Sequence, residues 1–201
     1  MSWQPPYATP EELAAYMGES AATDTAELTL AIEAASRSVD RACDRQFGQL
    51  DTPQVRFYTA RYDRDRRRWE IPTDDFATTV GLVVESAGLA TGATITGVLP
   101  APINAVANGS VWTSLVVNAD SSVIPDRTEN GVKVTAQFGW PEIPPTIKLA
   151  TLIQASRLFA RRHAPFGVAG NPEVGQMRLL ERLDPDLAVS VRPFARIWGA
   201  V

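Results

Sequence analysis

The apolar positions of this chain follow a helical period at both ends and a strand-like period in the middle. From Asp24, an N-cap candidate, Leu28, Ile32, Ala35, Val39, Ala42 and Cys43 fall on one face of a long helix, and Glu27, Arg37, Asp40, Arg41 and Asp44 lie largely off it. Phe47-Gly48 predicts its end. Ahead of it, Thr9-Pro10-Glu11-Glu12 has the form of a capping box with proline at the first helical position. Leu13, Tyr16 and Met17 then recur at helical spacing until Gly18. The third helix is predicted over Pro144–His163, opening on two prolines and closing at Ala164-Pro165. Leu149, Ile153 and Ala160 share one of its stripes; Leu152, Ala155 and Phe159 share another. Apolar residues at more than one phase predict a central helix with neighbours on several sides, burying Ile147, Leu149, Leu152, Ile153, Leu158 and Phe159.

The texture changes at Asp51-Thr52-Pro53. Val55–Thr59 and Trp69–Ile71 have β-propensity, and the polar run RYDRDRRR between them predicts a turn or hairpin tip. Further strands are predicted over Thr79–Glu85, Ala93–Val98, Val111–Val117 and Val132–Phe138, the last entered through the turn signal Asn130-Gly131. Proline and alanine between 99 and 107 predict an irregular connection. The expected fold is α+β: a bundle of three to five helices from residues 1–50 and 143–201, with a small antiparallel sheet or barrel lobe, residues 51–142, inserted between the second and third helices. Beyond Ala164 the chain reads as a Gly/Pro loop, a short amphipathic piece at Met177, Leu179, Leu180 and Leu183, and one more helical turn after Asp184-Pro185.

At 201 residues, 45% hydrophobic and 21% charged, the chain is long enough for one good core or a core plus a smaller lobe. No apolar run reaches the length of a membrane span, and MSWQPPYATPEEL lacks the basic and apolar regions of a signal peptide. One cysteine, Cys43, allows neither an internal disulfide nor a cysteine-based zinc site, and its place on the apolar stripe predicts a buried thiol. The net charge of −4 is uneven. Residues 1–50 hold three Arg against eight Asp and Glu, and residues 143–201 hold eight basic against four acidic side chains. Such polarity suits either pairing between copies or two faces of a solvated monomer. Of the 19 basic residues only Lys133 and Lys148 are lysine.

Candidate chemistry is sparse. His163, the only histidine, has no second histidine or triad partner nearby in sequence. Asp63, Asp65, Asp74 and Asp75 offer carboxylates for a divalent cation, but no downstream glutamate completes a calcium loop and arginines flank the first pair, so turn and ion-pair roles compete. No Walker loop, strand-borne GxGxxG or GxSxG is present, and no cofactor is expected. Arg61, Arg64, Arg66, Arg67 and Arg68, with Tyr58, Tyr62 and Trp69 nearby, form the strongest basic patch. It reads as a nucleic-acid contact, an intersubunit strip or a solvated loop. At the other end, Arg192-Pro193-Phe194-Ala195-Arg196-Ile197-Trp198 places aromatic and arginine side chains close to the last residue, suited to docking on the chain's own core or on a partner.

Taken together, YATPEELAAYMG, the helix ending RACDRQFG, FGWPEIPPTIKLATLIQASRLFARR and RLDPDLAVSVRPFAR resemble, in order and spacing, the head-to-tail connector (adaptor) proteins of tailed bacteriophages. The resemblance covers both helical ends and fades over the β segment. It implies a virion protein with no enzymatic activity: a helical bundle forming a twelve-membered ring with copies of itself on the portal protein, genome DNA passing through, and a surface offered to a stopper or tail protein. The positions matching a portal-reaching C-terminal segment are Arg192, Phe194, Arg196 and Trp198. Two other readings stand beside it: a metal-dependent hydrolase or nuclease using the β-lobe carboxylates, and a DNA-binding module using Arg61–Arg68.

Overall fold

The computed structural model describes residues 4–18, 25–87, 92–161, 168–169, 177–178 and 189–196. The chain is mixed α and β and divides into two compact units, one over Gly48–Glu142 and one made from Gln4–Phe47 and Ile143–Val201.

The second of these is helical. Helix α1, Pro10–Met17, carries the capping box: the Thr9 hydroxyl accepts from the Glu12 N–H, the Glu12 carboxylate accepts from the Thr9 N–H, and Gly18 ends the helix at φ 73°. Helix α2, Thr25–Cys43, buries Leu28, Ala31, Ile32, Ala35, Ser36, Val39 and Cys43. Its end differs from the sequence reading. Asp44, at φ 50°, is in the left-handed region, and the Arg45 N–H bonds back to the Asp40 carbonyl at 3.2 Å, so the helix closes ahead of Phe47-Gly48. Asp24 lies outside the described residues.

Helix α3, Pro145–Arg161, begins where the Pro144 carbonyl accepts from Ile147 and Lys148. It is buried along a single stripe, Ile147, Ala150, Thr151, Ala155 and Phe159. The expectation of burial on several sides therefore fails for Leu149, which keeps 50% of its surface exposed, while Leu152, Ile153 and Leu158 are half-buried. The buried stripe is largely made of small residues, as is that of α2, and small side chains bring helix backbones close without the large ones. The Ser36 and Thr151 hydroxyls are satisfied by the carbonyls one turn back, Ile32 and Ile147. One cluster of α1, α2 and α3 side chains, centred on Leu13, Leu28, Ile32, Ala35, Ala155 and Phe159, forms the core of this unit. A two-stranded pair, Val168–Ala169 with Met177–Arg178, and a helical stretch over 189–191 that runs into a 3-10 turn, Arg192–Phe194, also belong to its described part.

The other unit is mainly β, with two four-stranded antiparallel sheets and one 3-10 turn, Val106–Asn108. In the first, β1 (Gln54–Tyr58), β8 (Val132–Ala136), β4 (Val83–Ser86) and β5 (Ala93–Thr94) lie in that spatial order. The second runs β2 (Arg61–Asp63), β3 (Arg68–Phe76), β7 (Trp112–Asn118) and β6 (Leu99–Ala101). Trp69, Ile71, Leu115 and Val117 from the second and Val84, Val132, Val134 and Ala136 from the first belong to one buried cluster. The stretch expected to be irregular holds β6, whose Pro100 sits on an edge strand where a missing donor is tolerated. Strand β3 is longer than Trp69–Ile71 predicts, because it runs past Pro72 through a register shift before Phe76. That bulge lets Asp75 and Phe76, adjacent in sequence, both be buried.

Where the chain enters and leaves this unit, Gln49 and Gly139 form an antiparallel bridge, flanked by Leu50 N–H to the Phe138 carbonyl at 2.9 Å and Trp140 N–H to the Gly48 carbonyl at 3.1 Å. Gly139 has φ 113°, and a Cβ there would stand 1.8 Å from the Gly48 carbonyl oxygen, so glycine is required on both counts.

Candidate functional site

The five arginines of the basic patch fall on one hairpin. Arg61 is in β2, Arg64, Arg66 and Arg67 are in the connecting turn, and Arg68 opens β3. The turn is built by Asp63. Its carboxylate accepts the backbone N–H groups of Asp65 and Arg66, both at 3.0 Å, and the Arg66 guanidinium at 3.3 Å. Those bonds, the Arg66 N–H first, hold its carboxyl below the usual range. Arg67 takes φ 49° to close the loop, and its carbonyl accepts from Ala119 past the end of β7. Arg61, Arg64, Arg66 and Arg67 are exposed, whereas Arg68 is half-buried with its Nε lacking a hydrogen-bond partner among the described residues. Tyr62 and Trp69 face each other across the hairpin with ring centroids 4.9 Å apart. The structure adds Arg127, far off in sequence, whose guanidinium lies 5.0 Å from the Trp69 ring centre. No local signal marks Arg127 for that role.

The carboxylates do not converge. Asp74 accepts from the Arg56 guanidinium at 2.5 Å and the Tyr58 hydroxyl at 2.9 Å, while Asp75 accepts from the Trp140 indole at 2.9 Å. These are structural partnerships, and among the described residues no three His, Cys, Asp or Glu side chains gather as metal ligands do.

The described part of the C-terminal segment, residues 191–196, is seated on the helical unit. Val191 is buried, and its carbonyl faces the Cys43 thiol at 3.9 Å. The Arg196 N–H donates to the Cys43 carbonyl at 2.8 Å. The Phe194 ring meets Phe47 edge-on at 5.8 Å, and Phe47 meets Tyr7 in the same way at 5.9 Å. Arg192 stands exposed. Trp198 and His163 lie outside the described residues. Cys43 is fully buried, and burial first, with the Asp40 charge adding, pushes its thiol up to about 11, the inert thiol that its stripe position predicts.

Beneath this aromatic row lies a polar group that sequence reasoning missed. The Tyr7 hydroxyl donates to Asp40 in a short hydrogen bond and accepts the Phe47 N–H at 2.8 Å. Arg37 pairs with Asp40 at 3.2 Å, donates to the Pro5 carbonyl at 2.8 Å and lies over the Tyr7 ring. Burial raises both the Tyr7 phenol and the Asp40 carboxyl. The available signal was Tyr7 standing two residues before the Thr9 cap, a buried-type residue in a polar lead-in. Among the described residues, no helix is long and apolar enough to cross a membrane. No family model matches the chain, and no curated protein matches it.

Proposed function

We propose that this chain is a structural adaptor of the tailed-phage head-to-tail connector type. It acts by docking, without a chemical step. Copies form a ring, twelve by the family's pattern, on the portal protein, and the ring offers a surface to a stopper or tail protein while genome DNA passes through; the protein then resides in the virion. The architecture that goes with this reading is a helical bundle carrying a β lobe inserted between its second and third helices.

One observation supports the reading above the others. The separate segments that carry the resemblance meet through their side chains: Tyr7 of YATPEEL, Phe47 of RACDRQFG and Phe194 of RPFAR form one edge-to-face row. Segments far apart in sequence that share one packed site are more than a coincidence of composition. In this reading Arg192, exposed on the same turn as Phe194, is the side chain that meets a portal subunit. Many weak single-copy contacts repeated around a ring add up to firm attachment.

The test is co-sedimentation of the purified protein with portal rings. Attachment is expected for the wild type and loss of attachment for a chain ending at residue 189. Because Phe194 packs on Phe47, that truncation also removes part of the core, so Arg192→Glu on the exposed turn is the cleaner variant. Unchanged attachment by both overturns tail docking, and no attachment by the wild type overturns the adaptor reading.

A further inference from the structure

The β2–β3 hairpin borders an open depression of about 400 Å³ lined by Ala60, Tyr62, Arg64, Trp69 and Arg127. Its floor is aromatic. Trp69 is buried, and Tyr62, its ring tilted 53° against the indole, is 40% exposed as a residue. Its rim is cationic, with Arg64 on the turn and Arg127 held over the Trp69 ring. Among the described residues no carboxylate belongs to the lining; of the four adjacent to it in sequence, Asp63, Asp65, Glu70 and Asp126, the first is committed to backbone N–H groups and Arg66 and the last accepts the Thr128 N–H. Two cations thus overlook an aromatic floor without an anion among its lining residues.

We propose that this depression holds one unstacked nucleotide of a single-stranded nucleic acid, its base against Tyr62 and its flanking phosphates on Arg64 and Arg127. The volume is that of a small-molecule subsite. An exposed aromatic face beside arginines is the chemistry by which single strands are held without sequence preference, since every base has a π-face and every unit a phosphate. Arg66 and Arg67 continue the cationic line past Arg64 along the turn, which serves a polyanion and is superfluous for a lone small anion. A duplex keeps its bases stacked out of reach of such a floor. An acidic peptide satisfies the arginines but gives Tyr62 no planar partner. The site needs nothing from the adaptor reading and is tested without portal protein.

The experiment is fluorescence anisotropy of the full chain with a fluorescein-labelled dT12. Binding is expected at 50 mM salt, weakening about ten- to twenty-fold by 200 mM if about three phosphates are engaged. Tyr62→Ala is expected to weaken it about ten-fold, the scale of one stacked base, while Tyr62→Phe stays within about two-fold. Arg64→Ala and Arg127→Ala are each expected to flatten the logarithmic salt slope by about 0.7. Both arginines are exposed, so these variants remain informative if Tyr62→Ala proves unfolded by circular dichroism. The proposal is overturned by no binding at 50 mM salt, by equal binding of folded Tyr62→Ala and Tyr62→Phe, by unchanged slopes in both arginine variants, or by a blunt duplex or hexaglutamate binding as tightly as dT12.

Discussion

Each unit holds a tyrosine, an aspartate and an arginine in one hydrogen-bonded group, and the two groups differ in what they join. In the helical unit, Tyr7, Arg37 and Asp40 tie the segment ahead of α1 to the end of α2, with the Phe47 N–H as a fourth member. In the β unit, Tyr58 and Arg56 of β1 meet Asp74 of β3, and the Asp74 N–H donates back to Tyr58 at 3.2 Å. The Asp40 side chain is 15% exposed and its Tyr7 partner is buried, whereas the Asp74 side chain is 42% exposed and its Tyr58 partner is half-buried. Water can replace a lost partner at Asp74 and has no access to the Tyr7 hydroxyl. The same three residue types therefore form a structural lock in one unit and a surface brace in the other, and burial rather than composition decides which.

Removing the carboxylates breaks the comparison most sharply. Asp40→Ala leaves the buried Tyr7 hydroxyl without its acceptor and takes one partner from the half-buried Arg37 guanidinium, and is expected to cost about 3 kcal/mol in urea denaturation. Asp74→Ala is expected to cost no more than about 1 kcal/mol, since its pair is screened. Because burial raises the Asp40 carboxyl, ionised Asp40 is itself disfavoured in the folded chain: the stability it contributes is whole at low pH and declines as pH rises through its folded value. The neutral isostere Asp40→Asn should accordingly cost clearly less than Asp40→Ala.

The tyrosines give the next effect. Tyr7→Phe strands the Phe47 N–H and one oxygen of Asp40 and is expected to cost about 2 kcal/mol; Tyr58→Phe, with Asp74 still held by Arg56, is expected to cost under about 1 kcal/mol. Equal costs would mean that burial does not separate the two groups.

The smallest effect is a slope. Burial first raises the folded-state values of the Tyr7 and Tyr58 phenols above the ordinary 10.0, and that of the Cys43 thiol from 9.0 to about 11. As pH climbs, the unfolded chain releases these protons before the folded one does. Their contribution to stability is therefore complete below about pH 9 and falls above it. Tyr7→Phe and Tyr58→Phe should each flatten the limb above pH 10 by up to about 1.4 kcal/mol per pH unit, measured by urea melts at stepped pH. Here the two groups should behave alike, because the slope counts protons and not exposure.

Local signals made much of the fold legible. The Thr9 capping box, the Gly18 stop, the α2 stripe and the strands around Val55, Val111 and Val132 were readable because each depends on a few neighbouring residues. What sequence missed depended on distant partners. Leu149 lies on an apolar stripe in the sequence and Ala150 does not, yet the leucine is exposed and the alanine buried, because the face that meets α1 and α2 is chosen by partners outside the helix. The length of β3 hinged on a bulge that no composition marks. At the candidate site, the hairpin and its arginines stood out in the sequence, whereas Arg127 over Trp69 and Asp40 beneath Tyr7 are joined only by folding. Phe194, conspicuous as a docking residue, proves to be seated on Phe47.

The adaptor reading is tested most directly by electron microscopy of tail-deficient capsids incubated with the purified chain. The account predicts a ring of added density directly beneath the portal, weakened or lost with Arg192→Glu. Capsids that carry no added density, or carry it away from the portal vertex, would contradict it.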